Sequence, residues 1–350
     1  MGAEPATAGA ERSAGRFAPS PSGDFHLGNL RTAILAWAYA RSTNRRFIMR
    51  IEDLDRVKPG AAERQLEDMA ALGVEWDEPV IHQSQRLHLY AEAARRLDAA
   101  GLVYECYCTR REILEAPSAP HAPPGAYPGT CRDLTAAQRA EGRAKVQSLN
   151  RKPALRLRAG VAEWPVVDEI AGPTTGAVDD LVLRRGDGVW AYNLVSVVDD
   201  VAFGVDQVVR ADDLLSSAPR QAYLTHLLEQ VRPELWRLDV DSTARPAAHA
   251  SWPSVQYIHV PLALNTAGQR LAKRDGAVTL RDRITAGESV AEVVRRIGNS
   301  IGVPHAHIAA DIARALPADP AALPREPWIV DLPGTPHPGA HPPQNVRTVR

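Results

Sequence analysis

Between Ala18 and Asn29 the chain reads Ala-Pro-Ser-Pro-Ser-Gly-Asp-Phe-His-Leu-Gly-Asn. Pro19, Pro21 and Gly23 make a stiff turn, and apolar residues at helical spacing begin directly after it. A helix N-terminus offers unpaired N–H groups and positive potential to a phosphate chain. His26 can donate to phosphate oxygens, and Gly28 leaves room for a purine to lie against the backbone. Either residue singly would fit an ordinary helix cap; the twelve together read as a nucleotide site. About 245 residues later comes the basic run Arg270-Leu271-Ala272-Lys273-Arg274. Phosphoryl chemistry needs positive charge where pyrophosphate leaves, although such a run taken alone is a solvated loop. A third group is Cys106, Cys108 and Cys131, the only cysteines in the chain. An odd number clustered within 26 residues is a poor disulfide framework and suits a metal. Zinc wants four ligands in a tetrahedron, so a fourth is needed: Tyr127, His121 or water. Chemistry alone prefers the imidazole of His121.

These groups need a scaffold. With 350 residues, 45% hydrophobic and 24% charged, the chain can build a core of ordinary size. A net charge of −1 leaves nucleic-acid contact to local basic patches. No apolar run approaches the roughly 20 residues that span a bilayer, and residues 1–14 have no signal-peptide core; they read as a disordered leader in a cytoplasmic protein. Arg16–Ala18 reads as a strand, Leu27–Arg41 as a helix, Arg46–Ile51 as a buried strand, and Ala61–Leu72 and Leu87–Ala100 as helices. This alternation predicts an α/β fold with a Rossmann-like doubly wound parallel sheet. Its first half is expected at 15–101 and its second at 154–235, with a zinc-binding insert at 102–153. Leu181–Arg185 and Val189–Asn193 flank Gly-Asp-Gly as a hairpin. Residues 236–323 are expected to hold a polar linker, a strand at Tyr257–Leu264, the basic loop and a helix at Ile284–Ile297, forming a short C-terminal helical region. The Pro/Gly/His-rich stretch 324–350 reads as a disordered tail.

The segment RFAPSPSGDFHLGNLRTAI resembles the HIGH-motif region of glutamyl-tRNA synthetases, class I aminoacyl-tRNA synthetases, with Asn29 in place of the second histidine. MRIEDLDR resembles the same family's next strand end, and Arg270–Arg274 its KMSKS loop, with Arg270 for the first lysine, Ala272 for the serine and Lys273 for the second lysine. The resemblance covers roughly residues 15–315 and implies an ATP-dependent ligase that activates L-glutamate, with Mg²⁺ on the phosphates. It implies His26 and Lys273 as catalytic groups, with Pro19, His26, Gly28, Asn29, Arg270 and Lys273 around ATP. It implies a glutamate pocket of Arg16, Phe17, Ala18, Pro19, Ser20, Glu52, Tyr192 and Arg210, in which Arg210 selects glutamate over glutamine. Ser196 stands where full-length enzymes typically carry asparagine, which points to a specialised relative. The pattern Cys-x-Cys … Tyr-x-x-x-Cys resembles the zinc site of glutamyl-Q tRNA(Asp) synthetases. That implies one structural Zn²⁺ on Cys106, Cys108, Tyr127 and Cys131, and Asp133 stands where full-length enzymes show a histidine. The chain ends about 75 residues after the basic loop, so no anticodon-binding domain is expected. The implied partners are ATP, L-glutamate and tRNA(Asp) bearing queuosine, with a monomer as the working form. Two other readings stay open: a truncated glutamyl-tRNA synthetase charging a tRNA 3′ end, and a non-catalytic tRNA- or ATP-binding paralogue.

Overall fold

The computed structural model describes residues 13–115, 126–231, 254–271 and 278–331. Strand β1 (Ala14–Phe17) leads through the proline turn into α1 (Leu27–Ser42); β2 (Arg46–Ile51), α2 (Ala61–Ala71), β3 (Ile81–His82) and α3 (Leu87–Ala99) follow. After a satellite region come β6 (Glu163–Asp168) and β7 (Gly172–Ala177), then α6 (Tyr192–Ala202), β9 (Val205–Ala211), α7 (Ala218–Val231) and β10 (Gln256–Val260). The main sheet has the order β3-β2-β1-β9-β10-β6-β7, and only β7 runs antiparallel to its neighbour. From β1 the chain winds outward through β2 and β3 on one side and through β9 and β10 on the other. The reversal between β1 and β9 opens a crevice at the strands' carboxyl ends, where open α/β sheets bind ligands.

Strand periodicity builds a core on each face. Met49, Val209 and Ile258 join α1 and the C-terminal helices in one cluster. Their immediate neighbours Ile48, Val208 and Tyr257 join α3, α6 and α7 in the other. β2 is an unbroken apolar run between two arginines, as a strand covered on both faces should be. α1 is buried from Leu30 to Ala40 save for Thr32, its alanines letting sheet and α10 (Ala309–Ala315) approach closely.

The satellite region contains β4 (Val103–Cys106), α4 (Arg110–Glu115), α5 (Ala136–Ser148), β5 (Ala154–Leu157) and β8 (Val182–Arg184). Its antiparallel sheet has the order β4-β5-β8 and carries a small core of Cys106, Tyr107, Tyr127, Cys131, Val146 and Ala154.

Four expectations need correction. The hairpin around Gly186–Gly188 is reduced to a single bridge from Arg184 to Trp190, because Tyr192 already opens α6. The helix expected at Ile284–Ile297 is two, α8 (Leu280–Thr285) and α9 (Val290–Asn299). Gly287, at φ 93°, breaks the first, and Ser289 with Glu292 caps the second. The strand expected at Tyr257–Leu264 stops at Pro261 and resumes as β11 (Ala263–Leu264). Finally, residues 324–331 of the expected tail are ordered: β12 (Trp328–Ile329) pairs with β11, and Val330 is buried. The expected leader and the rest of the tail lie outside the described residues.

Candidate active site and metal centre

A cleft of about 450 Å³ occupies the switch point. The turn after β1, the end of β2, the start of α6, the end of β9 and the β10–β11 turn all line it. The structure brings to it Arg16, Phe17, Ala18, Pro19, Ser20, His26, Gly28, Asn29, Glu52, Tyr192, Arg210 and Arg270. Lys273 and His121 lie outside the described residues.

His26 caps α1. Its Nδ1 accepts the Asn29 N–H at 3.3 Å, and Asn29 Oδ1 accepts the His26 N–H at 3.1 Å. Burial lowers the imidazole's pKa, so His26 is neutral at neutral pH with its proton on Nε2, free to donate. Asn29 thus does here what a capping-box side chain does. A Cβ on Gly28 would lie 2.9 Å from Ala263 Cβ and 3.0 Å from the His26 ring, so the helix start reaches β11 only with glycine there. Leu27 N donates to Val278 O at 2.9 Å and His26 bridges Thr279. Leu271, on the other side of the undescribed 272–277, lines the cleft. Arg270 is exposed and paired with Asp213.

The other end of the cleft is charged and buried. Arg210 Nε donates to His259 Nε2 at 2.9 Å; its Nη1 donates to Gln221 Oε1 at 2.7 Å and to the Tyr192 hydroxyl at 3.2 Å. Among the described residues no carboxylate pairs with this guanidinium, although only 5% of the residue is exposed. Arg16 Nε meets Asp200 Oδ1 at 3.4 Å, and Arg50 Nη1 meets the same oxygen at 2.5 Å. Burial would raise the Asp200 pKa, but Arg50 and Arg16 together hold it below the usual value. Glu52 Oε1 accepts from Arg50 Nη2 and from Ser196 Oγ, each at 3.3 Å. Burial outweighs Arg50 and Arg16 there, so the Glu52 pKa is raised. The cleft therefore presents an underused guanidinium at one wall and an under-compensated carboxylate at another. A zwitterion with an extra carboxylate fits that pattern.

Sequence reasoning missed Asp200, Gln221, Asp168 and His259. The adjacent acids Asp199 and Asp200, following the apolar pair Val197-Val198 in α6, are the signal the sequence offers. Asp199, fully buried, collects Gln83, Arg86 and Tyr90 at 2.8–2.9 Å and supports Arg50 from behind. Ser196 is four residues from Tyr192 and shares its helix face.

In the satellite region the three cysteine sulfurs lie within 4.8 Å of one another. Cys108 Sγ is 3.6 Å from Cys131 Sγ, and the Tyr127 hydroxyl is 3.3 Å from Cys106 Sγ and 3.8 Å from Cys108 Sγ. A tetrahedral zinc with thiolates at about 2.3 Å sets its sulfurs roughly 3.8 Å apart, so the donor set fits. The phenol oxygen also accepts the Cys131 N–H at 2.8 Å, and the Arg156 guanidinium lies 3.6 Å from the ring centroid. Both would stabilise a phenolate. Asp133 pairs with Arg158 at 2.8 Å.

Residues 14–245 match the family of class I tRNA synthetases (E and Q), catalytic domain. A glutamate tRNA ligase from Elizabethkingia meningosepticum, in complex with its amino acid, superposes with a TM-score of 0.66 at 21% identity. That likeness covers 88% of this chain, which spans 65% of the ligase's length. The glutamate-tRNA synthetase of Elizabethkingia anophelis gives 0.67 at 20%, covering 90% and 68%. Fold and family match define a class I tRNA synthetase catalytic domain of the glutamate and glutamine type. A glutamyl-Q tRNA(Asp) synthetase of Nocardia farcinica is 56% identical over 320 residues, 91% of this chain and 93% of its own. Those of Cutibacterium acnes and Symbiobacterium thermophilum are 46% and 41% identical, covering 85% and 89% of this chain and 78% and 94% of theirs. The chain belongs to the glutamyl-Q tRNA(Asp) synthetase family.

Proposed function

We propose that the chain joins L-glutamate to ATP, forming glutamyl-adenylate without tRNA, and then passes glutamate to queuosine in the anticodon of tRNA(Asp). The observation that carries this reading is Arg210, a buried guanidinium with only neutral partners, lining the same cleft at the switch point as Glu52 and Arg16. The substrate's side-chain carboxylate supplies the anion Arg210 lacks, and Glu52 takes the ammonium. Arg16, Phe17, Ala18, Pro19, Ser20 and Tyr192 form the remaining walls. ATP lies along Pro19, His26, Gly28 and Asn29, with Arg270 and Lys273 toward its phosphates. The glutamate α-carboxylate attacks the α-phosphorus in line, the bond to the β-phosphate oxygen breaks, and pyrophosphate leaves. His26 Nε2–H and Lys273 stabilise the charge that develops. A queuosine hydroxyl then attacks the activated carbonyl and AMP departs.

Mg²⁺ accompanies ATP and would neutralise phosphate charge. Zn²⁺ would be held by Cys106, Cys108, Tyr127 and Cys131 as a structural ion of an insert at 102–153, tying β4 to the segment around Cys131. A monomer working in the cytoplasm suits this chemistry.

Glutamate-dependent exchange of pyrophosphate into ATP tests the first step. Transfer of labelled glutamate to tRNA(Asp) with and without queuosine tests the second. Exchange without any acceptor preference for queuosine would favour 3′-end charging, and no exchange at all would favour a binding module.

A further inference from the structure

Arg210 is held in place by a pair of residues outside the expected glutamate pocket. Its Nε has one proton, directed at His259 Nε2 at 2.9 Å. A guanidinium is always a donor, so Nε2 is the acceptor and His259 carries its proton on Nδ1. That nitrogen lies 2.7 Å from Asp168 Oδ2. The same carboxylate oxygen accepts the His259 N–H at 3.0 Å, while Oδ1 accepts from Ile170 N at 3.0 Å and Ala171 N at 2.8 Å. Side chains of both His259 and Asp168 are fully buried. The two residues come from β10 and β6, so the β6–β7 hairpin reaches the pocket through this pair.

We infer that Asp168 and His259 are positioning residues for amino-acid recognition, fixing Arg210 by a neutral imidazole relay so that its charge stays available to the substrate's carboxylate. This rests on the reading of Arg210 given above. A carboxylate placed directly against Arg210 would compete with the substrate; one placed behind a histidine orients the guanidinium and balances its charge at a distance. Gln221 and Tyr192 hold the other arm.

The test is steady-state pyrophosphate exchange in the full chain with His259→Leu, His259→Gln, Asp168→Asn and Arg210→Gln. His259→Leu is expected to raise KM for glutamate about ten-fold or more, the scale of one charge-assisted hydrogen bond, with KM for ATP nearly unchanged. His259→Gln, which keeps an acceptor for Nε, should recover part of the loss, and Asp168→Asn should fall between. A normal glutamate KM in folded His259→Leu overturns the inference while leaving Arg210 in place. A normal KM in Arg210→Gln overturns the pocket itself. Should the leucine variant fail to fold, ¹⁵N NMR of histidine-labelled wild type decides, with His259→Gln assigning the signal. The expected signature is a protonated Nδ1 and a bare Nε2, and a proton on Nε2 overturns the relay.

Discussion

Arg210 touches an imidazole nitrogen, a carboxamide oxygen, a hydroxyl and a backbone carbonyl, all neutral. Desolvating a guanidinium without an anion is costly, and on the proposed reading the cost is recovered when glutamate binds. Glutamine has the same shape and no charge, and would leave the cost standing. Arg210→Gln should therefore lower glutamate-dependent exchange by more than about 10²-fold and shrink the preference for glutamate over glutamine. Exchange assayed with both amino acids checks this, and comparable wild-type rates for the two would remove the pocket assignment. Glu52 poses the opposite problem. It must be ionised to hold an ammonium, yet burial raises its pKa against the pull of Arg50 and Arg16. As pH falls, Glu52 gains its proton sooner than an ordinary glutamate, which titrates at about 4.3. The acidic limb of kcat/KM for glutamate should lie above that value and vanish in Glu52→Gln; a limb at or below it means another group binds the ammonium.

At the scale of elements, the start of α1 is the tightest joint in the cleft. Adding one methyl at Gly28 forces Ala263 or the His26 ring aside. Gly28→Ala should cut pyrophosphate exchange roughly ten-fold or more, since small misplacements of a reacting group are expensive, while the protein stays folded by circular dichroism. Unchanged exchange would mean neither β11 nor His26 needs its position. α1 and β2 were legible because their signals are local: an apolar helical spacing after a proline turn, and a continuous buried run. β6 and β7 were not, since Pro165, Gly172, Pro173 and two threonines give no strand alternation and the hairpin is made by pairing along the sheet edge. The break before α9 is written in the sequence as the capping pair Ser289-x-x-Glu292. In the cleft, resemblance singles out Arg16, Glu52, Tyr192 and Arg210, which line it together, whereas His259 and Asp168 acquire meaning only when β10 lies beside β6. The satellite sheet invites a metal prediction. Its core is small, so an ion would staple β4 to the Tyr127–Cys131 segment. Metal analysis should find one zinc per chain, and chelation should open residues 126–153 to protease. Stoichiometric zinc in Tyr127→Phe, with loss in His121→Ala, would replace the tyrosine by the histidine.

Across the whole molecule, the cleft's walls come from distant parts of the chain. Arg16 and Glu52 end β1 and β2, Arg210 ends β9, Tyr192 opens α6, and Leu271 lies beyond β11. The two cores meet through the sheet, and residues from both of its windings line the crevice where β1 and β9 pair. A ligand that touches both sides links them and stabilises only the folded state. At one hundred times its Kd such a ligand adds about 2.7 kcal/mol, which for a chain of this size raises Tm by roughly 5 °C. On the proposed reading a non-hydrolysable glutamyl-adenylate analogue would engage His26, Glu52 and Arg210 together, so it should give a shift of that order in thermal unfolding. AMP would reach only the α1 end on the same reading and should give a smaller one at the same concentration. The difference between the two isolates the amino-acid wall, and it should shrink in Arg210→Gln, where only the Glu52 contact is left, while the AMP shift survives. Equal shifts for both ligands in the wild-type protein would mean that the buried charges around Arg210 and Glu52 are structural, and that the anion they await is not part of the substrate.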